Sequence, residues 1–548
     1  MSEYSHLQKQ RQNFQPKLPR ILRDIKNLQA KPVEGEHTTN PEVAKLFPKT
    51  MGQPKLEFAV GSEQPHQVLR VGVVLSGGQA AGGHNVITGL FDAMKEIHPE
   101  SRLFGFLNGP SGITDNDHIE LTEDLLAVYR NQGGFDLIGA GRTKIETSEQ
   151  FQQAVNTVKE LQLDGLVIIG GDDSNTNAAL LAEHFEENGV STRVVGVPKT
   201  IDGDLKNEEI EISFGFDTAT KTFSETIGSI LRDSLSAKKY YFFIKLMGRS
   251  ASHIALECAL QTHPNLTLIG EEVAAEQQTL QELTNQVCDL ICSRADEGKN
   301  YGAILIPEGI IEFIPEMKIL IQELNRLKID KALSKEEKIT FAEQQLSSAS
   351  KKCFDYIPKD IQAQLLLDRD PHGNVQVSKI ETERLFIEAV KQELKKRKSS
   401  GTYVGKFSAQ PLFCGYEGRS CYPSNFDAQY CYALGYVVTL LIDSGATGYM
   451  SCVQNLSGPV EDWHITGIPL ASMIHMEERK GKMKPVIQKA LVDLDGTPFR
   501  IFKEQREIWG KKDEYRYPGP IQFSGSPEIT DVTTLTLEYE HQRFASKV

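Results

Sequence analysis

Two short apolar runs in the middle of the chain each lead into residues that could carry chemistry. The run Leu166–Ile169 ends at a Gly-Gly turn followed by two aspartates, and the run Val194–Val197 leads into the segment PKTIDGD. The candidate residues of this stretch are Asp172, Asp173, Lys199, Asp202 and Asp204. Like charges gathered in one place are tolerated when they bind a cation or carry out acid–base work. We therefore expect these side chains to form a metal-binding or acid–base site.

Both runs have the pattern of buried strands in a parallel sheet, and residues 175–187 between them have a helical pattern. Open α/β sheets bind ligands in the crevice outside the carboxyl ends of their strands. The polar residues after the two strands should therefore lie side by side. Read singly, an aspartate at a strand end caps the next helix more often than it binds a ligand, and Asp173 or Ser174 could have that role.

A glycine-rich loop follows the first strongly predicted strand, residues 68–75. The loop reads SGGQAAGGHN, contains Gly77, Gly78 and Gly82, and leads into a helical stretch over residues 86–97. Backbone N–H groups in such a loop, beside a helix N-terminus, can bind phosphate. The glycine spacing matches neither the dinucleotide-binding nor the P-loop pattern. A structural turn and an anion site are therefore equally compatible with it.

Arginines and a glutamate lie near the ends of further predicted strands. Arg142 ends the segment DLIGAGR, where it could contact a phosphate or simply lie at the surface. Arg249 follows the β-prone run YYFFIKLMG, and Glu308 follows AILIP. Arg249 and Arg419 could bind an acceptor that is itself a phosphate ester. Asp172 could hold Mg²⁺, which takes only one or two protein carboxylates beside phosphate oxygens, so the combined pattern predicts phosphoryl transfer.

Strands alternating with helices on both sides of residue 235 predict an α/β fold with two doubly wound, Rossmann-like lobes. The expected parts are an N-terminal extension (1–67), a first lobe (68–234), a second lobe (235–311 and 401–475), a helical insertion (312–400) and a C-terminal arm (476–548). Ser378 and Glu381 fit a capping box for the last helix of the insertion. Residues 415–419 are expected to form a loop and residues 426–442 a largely apolar core helix. Residues 449–455 are expected to close the second lobe, and the chain beyond Met476 is expected to be irregular.

The chain has 548 residues, too many for one hydrophobic core, and a formal net charge of −14. This acidity argues against nucleic acid or an anionic membrane as a partner, and an anionic substrate would need a local pocket of Lys and Arg. No apolar run approaches the roughly 20 residues of a membrane-spanning helix. Eight cysteines without paired metal-ligand spacing suggest reduced thiols and a cytoplasmic location.

Several of these motifs, in this order along the chain, resemble the phosphofructokinase family. They are SGGQAAGGHN, GGDDS, PKTIDGD, MGR, PEG and YEGR, and they span roughly residues 70–310 and 400–470. The resemblance implies Mg²⁺-dependent phosphoryl transfer to the 1-hydroxyl of fructose 6-phosphate, giving fructose 1,6-bisphosphate. It assigns the phosphoryl donor and Mg²⁺ to the first lobe and fructose 6-phosphate to the second.

Two residues resemble the pyrophosphate-dependent members of that family, and the long extensions resemble their long clade. ATP-using members carry glycine where this chain has Asp173, and typically glycine where it has Lys199. A carboxylate at position 173 would repel the α-phosphate of ATP, whereas an ammonium at position 199 would balance the charge on a departing phosphate. The resemblance therefore implies pyrophosphate as the donor in a reversible glycolytic reaction that releases phosphate.

The resemblance also implies a role for each matched residue. Asp202 would be the catalytic base with Asp204 in support, Lys199 and Asp173 would complete the catalytic set, and Asp172 would bind the metal. Pyrophosphate would be bound by Gly77, Gly78, Gly82 and Arg142. Fructose 6-phosphate would be bound by Thr200, Ile201, Asp202, Lys239, Tyr240, Met247, Gly248, Arg249, Glu308, Tyr416, Glu417, Gly418 and Arg419. Lys239 and Tyr240 match the position that the family borrows from a neighbouring subunit, so we expect a homo-oligomer such as a dimer.

Three other interpretations use the same residues. An enzyme of this fold could use ATP, or could phosphorylate another sugar phosphate. A regulatory subunit could bind sugar phosphates without catalysis, but such subunits lose the acidic loop that this chain retains. A nicotinamide-dependent dehydrogenase would need the G-x-G-x-x-G pattern, which the glycine-rich loop lacks.

Overall fold

Apolar runs and amphipathic stretches alternate along the chain and form the strands and helices of an α/β fold. The computed structural model of the protein describes residues 5–33, 40–62, 65–327, 329, 333–367, 369, 374–479 and 482–545. Within these residues the strands are β1 (Leu28–Val33), β2 (Lys55–Val60), β3 (Arg70–Leu75), β4 (Arg102–Phe106), β5 (His118–Leu121), β6 (Gly165–Gly170), β7 (Arg193–Thr200), β8 (Phe214–Gly215), β9 (Tyr241–Leu246), β10 (Leu266–Thr267), β11 (Gly302–Pro307), β12 (Ala409–Cys414), β13 (Tyr449–Gln454), β14 (His464–Pro469), β15 (Ile474–Arg479) and β16 (Lys482–Ile487). The α-helices are α1 (His6–Gln12), α2 (Pro41–Leu46), α3 (Gly83–Ile97), α4 (Ser111–Thr114), α5 (Glu123–Ala127), α6 (Ser148–Glu160), α7 (Asp172–Glu187), α8 (Phe216–Ala237), α9 (His253–Thr262), α10 (Gly270–Ala275), α11 (Leu280–Asp296), α12 (Ile310–Phe313), α13 (Pro315–Arg326), α14 (Lys335–Gln345), α15 (Ser348–Tyr356), α16 (Lys359–Leu367), α17 (Thr382–Ser399), α18 (Tyr416–Ser420), α19 (Asn425–Asp443), α20 (Thr497–Lys511), α21 (Pro527–Thr530) and α22 (Leu535–Ala545). Short 3-10 helices cover Arg20–Asn27, Val377–Lys379, Val460–Asp462 and Leu470–Met473.

Contacts within the chain divide it into two compact units. Unit 1 comprises Met1–Ala219, Tyr416–Ala490 and Ile521–Leu537, and unit 2 comprises Thr220–Gly415, Leu491–Pro520 and Glu538–Val548. Each unit has its own sheet, mixed in unit 1 and parallel in unit 2, and its own apolar core. The five-part division expected from the sequence stays a prediction.

The sheet of unit 1 has the strand order β1-β2-β14-β13-β7-β6-β3-β4-β5, with β8 paired to β7. Strands β4, β3, β6, β7 and β13 are parallel to one another. In their register Leu75 pairs with Ile169, and Gly170 pairs with Pro198. The carboxyl ends of β3, β6 and β7 are therefore level, so the glycine-rich loop, GGDDS and PKTIDGD leave the sheet side by side, as expected.

Strand β13 differs from its predicted position. It pairs in parallel with β7, with Tyr449 opposite Val195, and β14 pairs antiparallel with β13. Residues 449–454 therefore form an interior strand of the sheet of unit 1 instead of closing a second lobe, and Tyr449 to Val453 are buried there. Strand β2 of the N-terminal extension pairs with β14, so this extension packs on the core of unit 1.

Helix α19 is the core helix that the sequence predicts, and every residue from Asn425 to Ile442 is buried. It packs against α3 through two glycines. A Cβ atom at Gly435 would lie 2.4 Å from the Val86 carbonyl oxygen, and one at Gly89 would lie 2.3 Å from the Tyr432 carbonyl oxygen. The apolar character of α19 therefore reflects burial in the protein, and no helix in the described part of the chain is long and apolar enough to cross a membrane.

Unit 2 is built on a four-stranded parallel sheet with the order β10-β11-β9-β12. Helix α17 packs against β9 and β12, and α11 packs against α17. Helices α13 to α16 belong to the predicted insertion and contribute to the same apolar core. The predicted α/β class with parallel sheets and a helical insertion is confirmed.

Two local predictions are wrong. Helix α17 has Glu381 as its N-cap without a capping box, since Glu381 instead exchanges hydrogen bonds with Gln364 (2.9 Å and 2.6 Å). Ser378 lies in a preceding 3-10 helix. The chain beyond Met476 is also not irregular, because it contains the hairpin β15–β16 and helix α20, whose Phe499, Phe502 and Trp509 are buried.

Candidate active site

The glycine-rich loop between β3 and α3 lies at the carboxyl edge of the sheet of unit 1. Ser76 Oγ lies 2.7 Å from Ser174 Oγ at the start of α7, which joins this loop to the GGDDS turn. Gly77 has a φ of +87°, a left-handed conformation that favours glycine. Gly82 is the N-cap of α3, and a Cβ atom there would lie 2.4 Å from Cys431 Sγ. Gly82 therefore has a packing reason to be glycine, independent of any ligand.

Three cationic side chains surround the backbone of Gly78. Lys199, at the end of β7, donates a hydrogen bond from Nζ to the Gly78 carbonyl oxygen (2.7 Å). A Cβ atom at Gly78 would lie 3.1 Å from Arg419 Nη2 and 3.7 Å from Arg142 Nη2. Positive charge concentrated around the half-buried Gly78 backbone is suited to an anion with several oxygens, such as a phosphate group.

The positive charge of the Lys199 ammonium group is only partly balanced by negative charges of the protein itself. Lys199 is only 6% exposed. Burial lowers the pKa of its ammonium to about 8, the Asp202 carboxylate opposes this shift, and Arg419 and Arg142 add to it. A bound anion would supply the missing negative charge and stabilise the protonated lysine.

The predicted carboxylates lie at the same edge of the sheet. Asp172 begins α7, and Gly203, with a φ of +73°, forms the turn between Asp202 and Asp204. Burial raises the pKa of the Asp172 carboxyl, the Lys489 ammonium opposes this shift, and the neighbouring charges of GGDDS and PKTIDGD add to it. The structure thus brings the acidic residues after β6 and β7 close enough to influence one another.

Thr200 fixes the turn that carries the two candidate bases. Its hydroxyl accepts a hydrogen bond from the Asp202 N–H (3.0 Å) and donates one to Asp204 Oδ1 (3.3 Å). Ile201 between them is buried. Asp204 is 4% exposed, whereas Asp202 is half-buried. Asp202 is therefore the more accessible of the two for accepting a proton from a substrate.

Two lysines near these carboxylates were missed by the sequence analysis. Lys144 Nζ lies 3.0 Å from Asp173 Oδ1, and the Asp173 side chain is 50% exposed. Lys489 lies in the segment after β16, and its Nζ is 3.2 Å from Asp204 Oδ2. Lys144 follows Arg142 by two positions, which is the only sequence signal for it. Lys489 has none, because it lies in a segment that was predicted to be irregular.

Unit 2 holds a further set of predicted residues. The Gly248 N–H donates to Glu308 Oε2 (3.0 Å), and Glu308 is 2% exposed. A Cβ atom at Gly309 would lie 1.9 Å from the Arg249 carbonyl oxygen. A hydrogen bond and a close backbone contact therefore join the MGR loop, which begins at Met247, to the PEG turn. Position 309 must be glycine, because a Cβ atom there would clash with the MGR loop.

The remaining predicted residues lie at two other places. Lys239 is exposed, and Tyr240 is half-buried with its ring in an edge-to-face contact with Phe242.

The short helix α18 of unit 1, where a loop was expected, carries Tyr416, Glu417, Gly418 and Arg419. Tyr416 is 69% exposed, and the Arg419 guanidinium lies over its ring at 5.5 Å. Arg419 was expected at the acceptor, but its guanidinium lies beside Gly78 in the predicted donor loop.

Comparison with known proteins gives a family for this arrangement. Residues 70–442 match the phosphofructokinase family model. A pyrophosphate–fructose 6-phosphate 1-phosphotransferase of Treponema pallidum is 53% identical, over 98% of this chain and 97% of its own. The beta 1 subunit of the Arabidopsis thaliana protein of that name is 52% identical, over 98% of this chain and 95% of its own. The chain belongs to the phosphofructokinase family.

A solved structure supports the fold. The pyrophosphate-dependent phosphofructokinase of Nitrosospira multiformis matches 85% of this chain and 97% of its own, with a TM-score of 0.54. Its sequence is 15% identical. The two chains therefore share an architecture that tolerates extensive change in sequence.

Proposed function

We propose that this protein transfers a phosphoryl group reversibly from pyrophosphate to the 1-hydroxyl of fructose 6-phosphate, giving fructose 1,6-bisphosphate and phosphate in glycolysis. The observation that carries this proposal is the group of Lys199, Arg142 and Arg419 around the Gly78 backbone. This much positive charge suits a small inorganic anion that has no nucleoside to contribute binding. The names of the Treponema and Arabidopsis relatives support the same donor and acceptor.

In the proposed reaction the Asp202 carboxylate accepts the proton of the 1-hydroxyl, and the hydroxyl oxygen attacks a phosphorus atom of pyrophosphate. The bond from that phosphorus to the bridging oxygen breaks, and the departing phosphate keeps the electron pair. Lys199 stabilises this charge, with the two arginines and the backbone N–H groups of Gly77, Gly78 and Gly82 binding the donor oxygens. Asp204 supports the turn, and Asp173 disfavours ATP. In the reverse direction Asp202 returns the proton.

The family implies a divalent metal, and we propose Mg²⁺. Among the residues that the structure describes, no group of three His, Cys, Asp or Glu side chains is arranged to hold a metal ion by itself. Mg²⁺ needs only one or two protein carboxylates when phosphate oxygens and water supply the other ligands. The Asp172 side chain, 18% exposed at the edge of the donor loop, fits that requirement. Bound there, Mg²⁺ would neutralise charge on the donor.

For the acceptor we propose the residues that the resemblance implies. Within unit 2 the fixed MGR loop and Glu308 would bind fructose 6-phosphate. Lys239 is exposed, which suits our proposal that it and Tyr240 complete the site of a neighbouring subunit in a homo-oligomer such as a dimer.

We also propose a cytoplasmic location. It is supported by the cysteines, since no disulfide joins those of the described residues.

A coupled assay with fructose 6-phosphate and Mg²⁺ tests the proposed function directly. We expect fructose 1,6-bisphosphate to form with pyrophosphate as the donor, and phosphate to drive the reverse reaction. ATP should be a much poorer donor under the same conditions. Activity with ATP but not with pyrophosphate would overturn the donor assignment, and inactivity with both would favour a regulatory subunit.

The pH dependence of pyrophosphate use should report the ammonium of Lys199. This group is protonated below its pKa of about 8 and loses its charge as the pH rises through that value. We therefore expect kcat/KM for pyrophosphate, which reports the free enzyme, to fall on the alkaline side of this pKa. Initial rates should be measured from about pH 6.5 to about pH 9.5, a range of roughly three pH units centred on this pKa. They would show the alkaline limb, in which kcat/KM falls as the pH rises.

The control for this experiment is Lys199→Arg, because a guanidinium stays protonated throughout the range. The variant should move the alkaline limb to higher pH even if its absolute rate is lower. Ionisation of pyrophosphate itself affects both proteins equally. An unchanged limb in the arginine variant would assign it to the substrate and contradict the role of Lys199.

A further inference from the structure

Lys489 brings a positive charge to two carboxylates of the site, Asp204 and Asp172. Its Nζ lies 3.2 Å from Asp204 Oδ2 and 3.8 Å from Asp172 Oδ2. The lysine side chain is 33% exposed, whereas those of Asp204 and Asp172 are 5% and 18% exposed. An ion pair with such shielded partners is screened less than a pair on the open surface.

The backbone around Lys489 is attached to both acidic segments. The Ala490 N–H donates to the Asp204 carbonyl oxygen (2.7 Å). On the other side, the Ile487 N–H donates to Thr176 Oγ1 (3.1 Å), and that hydroxyl donates to the Asp172 carbonyl oxygen (2.9 Å). These hydrogen bonds fix the main chain on both sides of Lys489. The fold therefore places the ammonium group of Lys489 beside the two carboxylates.

The charge of Lys489 has a direct physical consequence for its partners. Asp172 and Asp204 repel each other, and one ammonium within 4 Å of both balances part of this repulsion. The closer contact is with Asp204 and the longer one is with Asp172. A divalent ion that binds the Asp172 carboxylate must therefore displace or offset the lysine there, while the contact with Asp204 can persist.

We propose that Lys489 is a positioning residue that acts as an internal counter-cation: it orients Asp204 and competes with the divalent metal for Asp172. The inference deepens the proposed function and rests on it for Asp172 as the metal ligand. Lys489 then has two separable effects. It weakens metal binding in the absence of substrate, and it keeps the Asp202–Asp204 turn in its working geometry.

Direct binding of Mn²⁺ to the full chain without substrate tests the competition. Free Mn²⁺ is measured by electron paramagnetic resonance for the parent and for Lys489→Met, Lys489→Gln and Lys489→Arg. We expect the two neutral variants to bind Mn²⁺ roughly tenfold more tightly, because a cation beside the ligand has been removed. The arginine variant should bind Mn²⁺ as the parent does. In the coupled assay the neutral variants should lose kcat at saturating metal, and arginine should restore it.

Lys484→Met is the matched control, because Lys484 lies in β16, shortly before Lys489 in the chain, is 49% exposed and has an ion pair of 3.5 Å with Glu146. It removes the same charge and should leave Mn²⁺ affinity and kcat unchanged. In an Asp172→Asn background, Lys489→Met should no longer affect Mn²⁺ binding. Thermal unfolding identifies variants that fold, and either neutral variant suffices for the comparison.

Mn²⁺ affinity of a folded neutral variant within twofold of the parent would overturn the proposed competition. Equal tightening by Lys484→Met would also overturn it, since the effect would then be one of net charge. The Mn²⁺ measurement does not involve a phosphoryl donor. A failure of pyrophosphate as the donor would therefore appear only in the coupled assay and would leave this inference standing.

Discussion

Replacing Asp202 with asparagine is expected to lower kcat by about 10²- to 10⁴-fold, the usual contribution of a general base. Asparagine keeps the shape of the side chain but cannot accept the proton of the attacking hydroxyl. The Asp202 N–H bond to Thr200 Oγ1 (3.0 Å) involves the backbone, so the turn should persist. Steady-state rates in both directions, with fructose 6-phosphate binding measured by calorimetry, would show a loss of turnover at nearly unchanged affinity.

Two further variants make this prediction specific. Glu208→Gln removes a carboxylate from the exposed part of the same loop and should leave kcat unchanged. Asp204→Asn should have a smaller effect than Asp202→Asn, because Asp204 is buried and bonded to Thr200. If Asp204→Asn abolished turnover while Asp202→Asn stayed within tenfold of the parent, the assignment of the two carboxylates would be reversed.

Combining Asp173→Gly with Lys199→Gly is expected to exchange the phosphoryl donor. The pyrophosphate reaction should lose about 10²- to 10³-fold in kcat/KM, since a buried ammonium no longer stabilises the departing phosphate. Affinity for ATP should rise, because the carboxylate at position 173 no longer opposes the α-phosphate. Rates with each donor at fixed fructose 6-phosphate, with nucleotide binding measured separately, would test both parts.

The single variants separate the two contributions. Lys199→Met keeps most of the side-chain volume and removes only the charge, so it should impair pyrophosphate use without admitting ATP. Lys144→Met removes the cation 3.0 Å from Asp173 and should make ATP binding still weaker. Survival of pyrophosphate use in the double variant, with no gain in ATP affinity, would refute the donor assignment.

Much of the site could be predicted from the sequence because its elements have local signatures. Short apolar runs that end at glycine, such as Leu166–Ile169, identify buried parallel strands. The rule that ligands bind at the carboxyl ends of such strands then brings Asp172, Lys199 and Asp202 together without any knowledge of tertiary contacts. Helix α19 was equally predictable, because a long apolar stretch with helical spacing has to be buried.

The parts that could not be predicted depend on contacts between distant residues. Nothing near Tyr449 indicates that its strand pairs with β7. The capping box at Ser378 is locally sound, but Gln364 from another helix binds Glu381 instead. Lys489 follows a hairpin whose polar residues resemble those of an irregular segment, and its contact with Asp204 depends on tertiary folding. Periodicity in sequence carries no information about any of these partners.

The pairing of β13 with β7 has a consequence for how the sheet of unit 1 forms during translation. During translation β7 leaves the ribosome long before β13, and at roughly 5–20 residues per second the interval is tens of seconds. For that time the nascent sheet has an open edge able to pair with another polypeptide. We expect the unfinished chain to depend on chaperones until its last strands emerge.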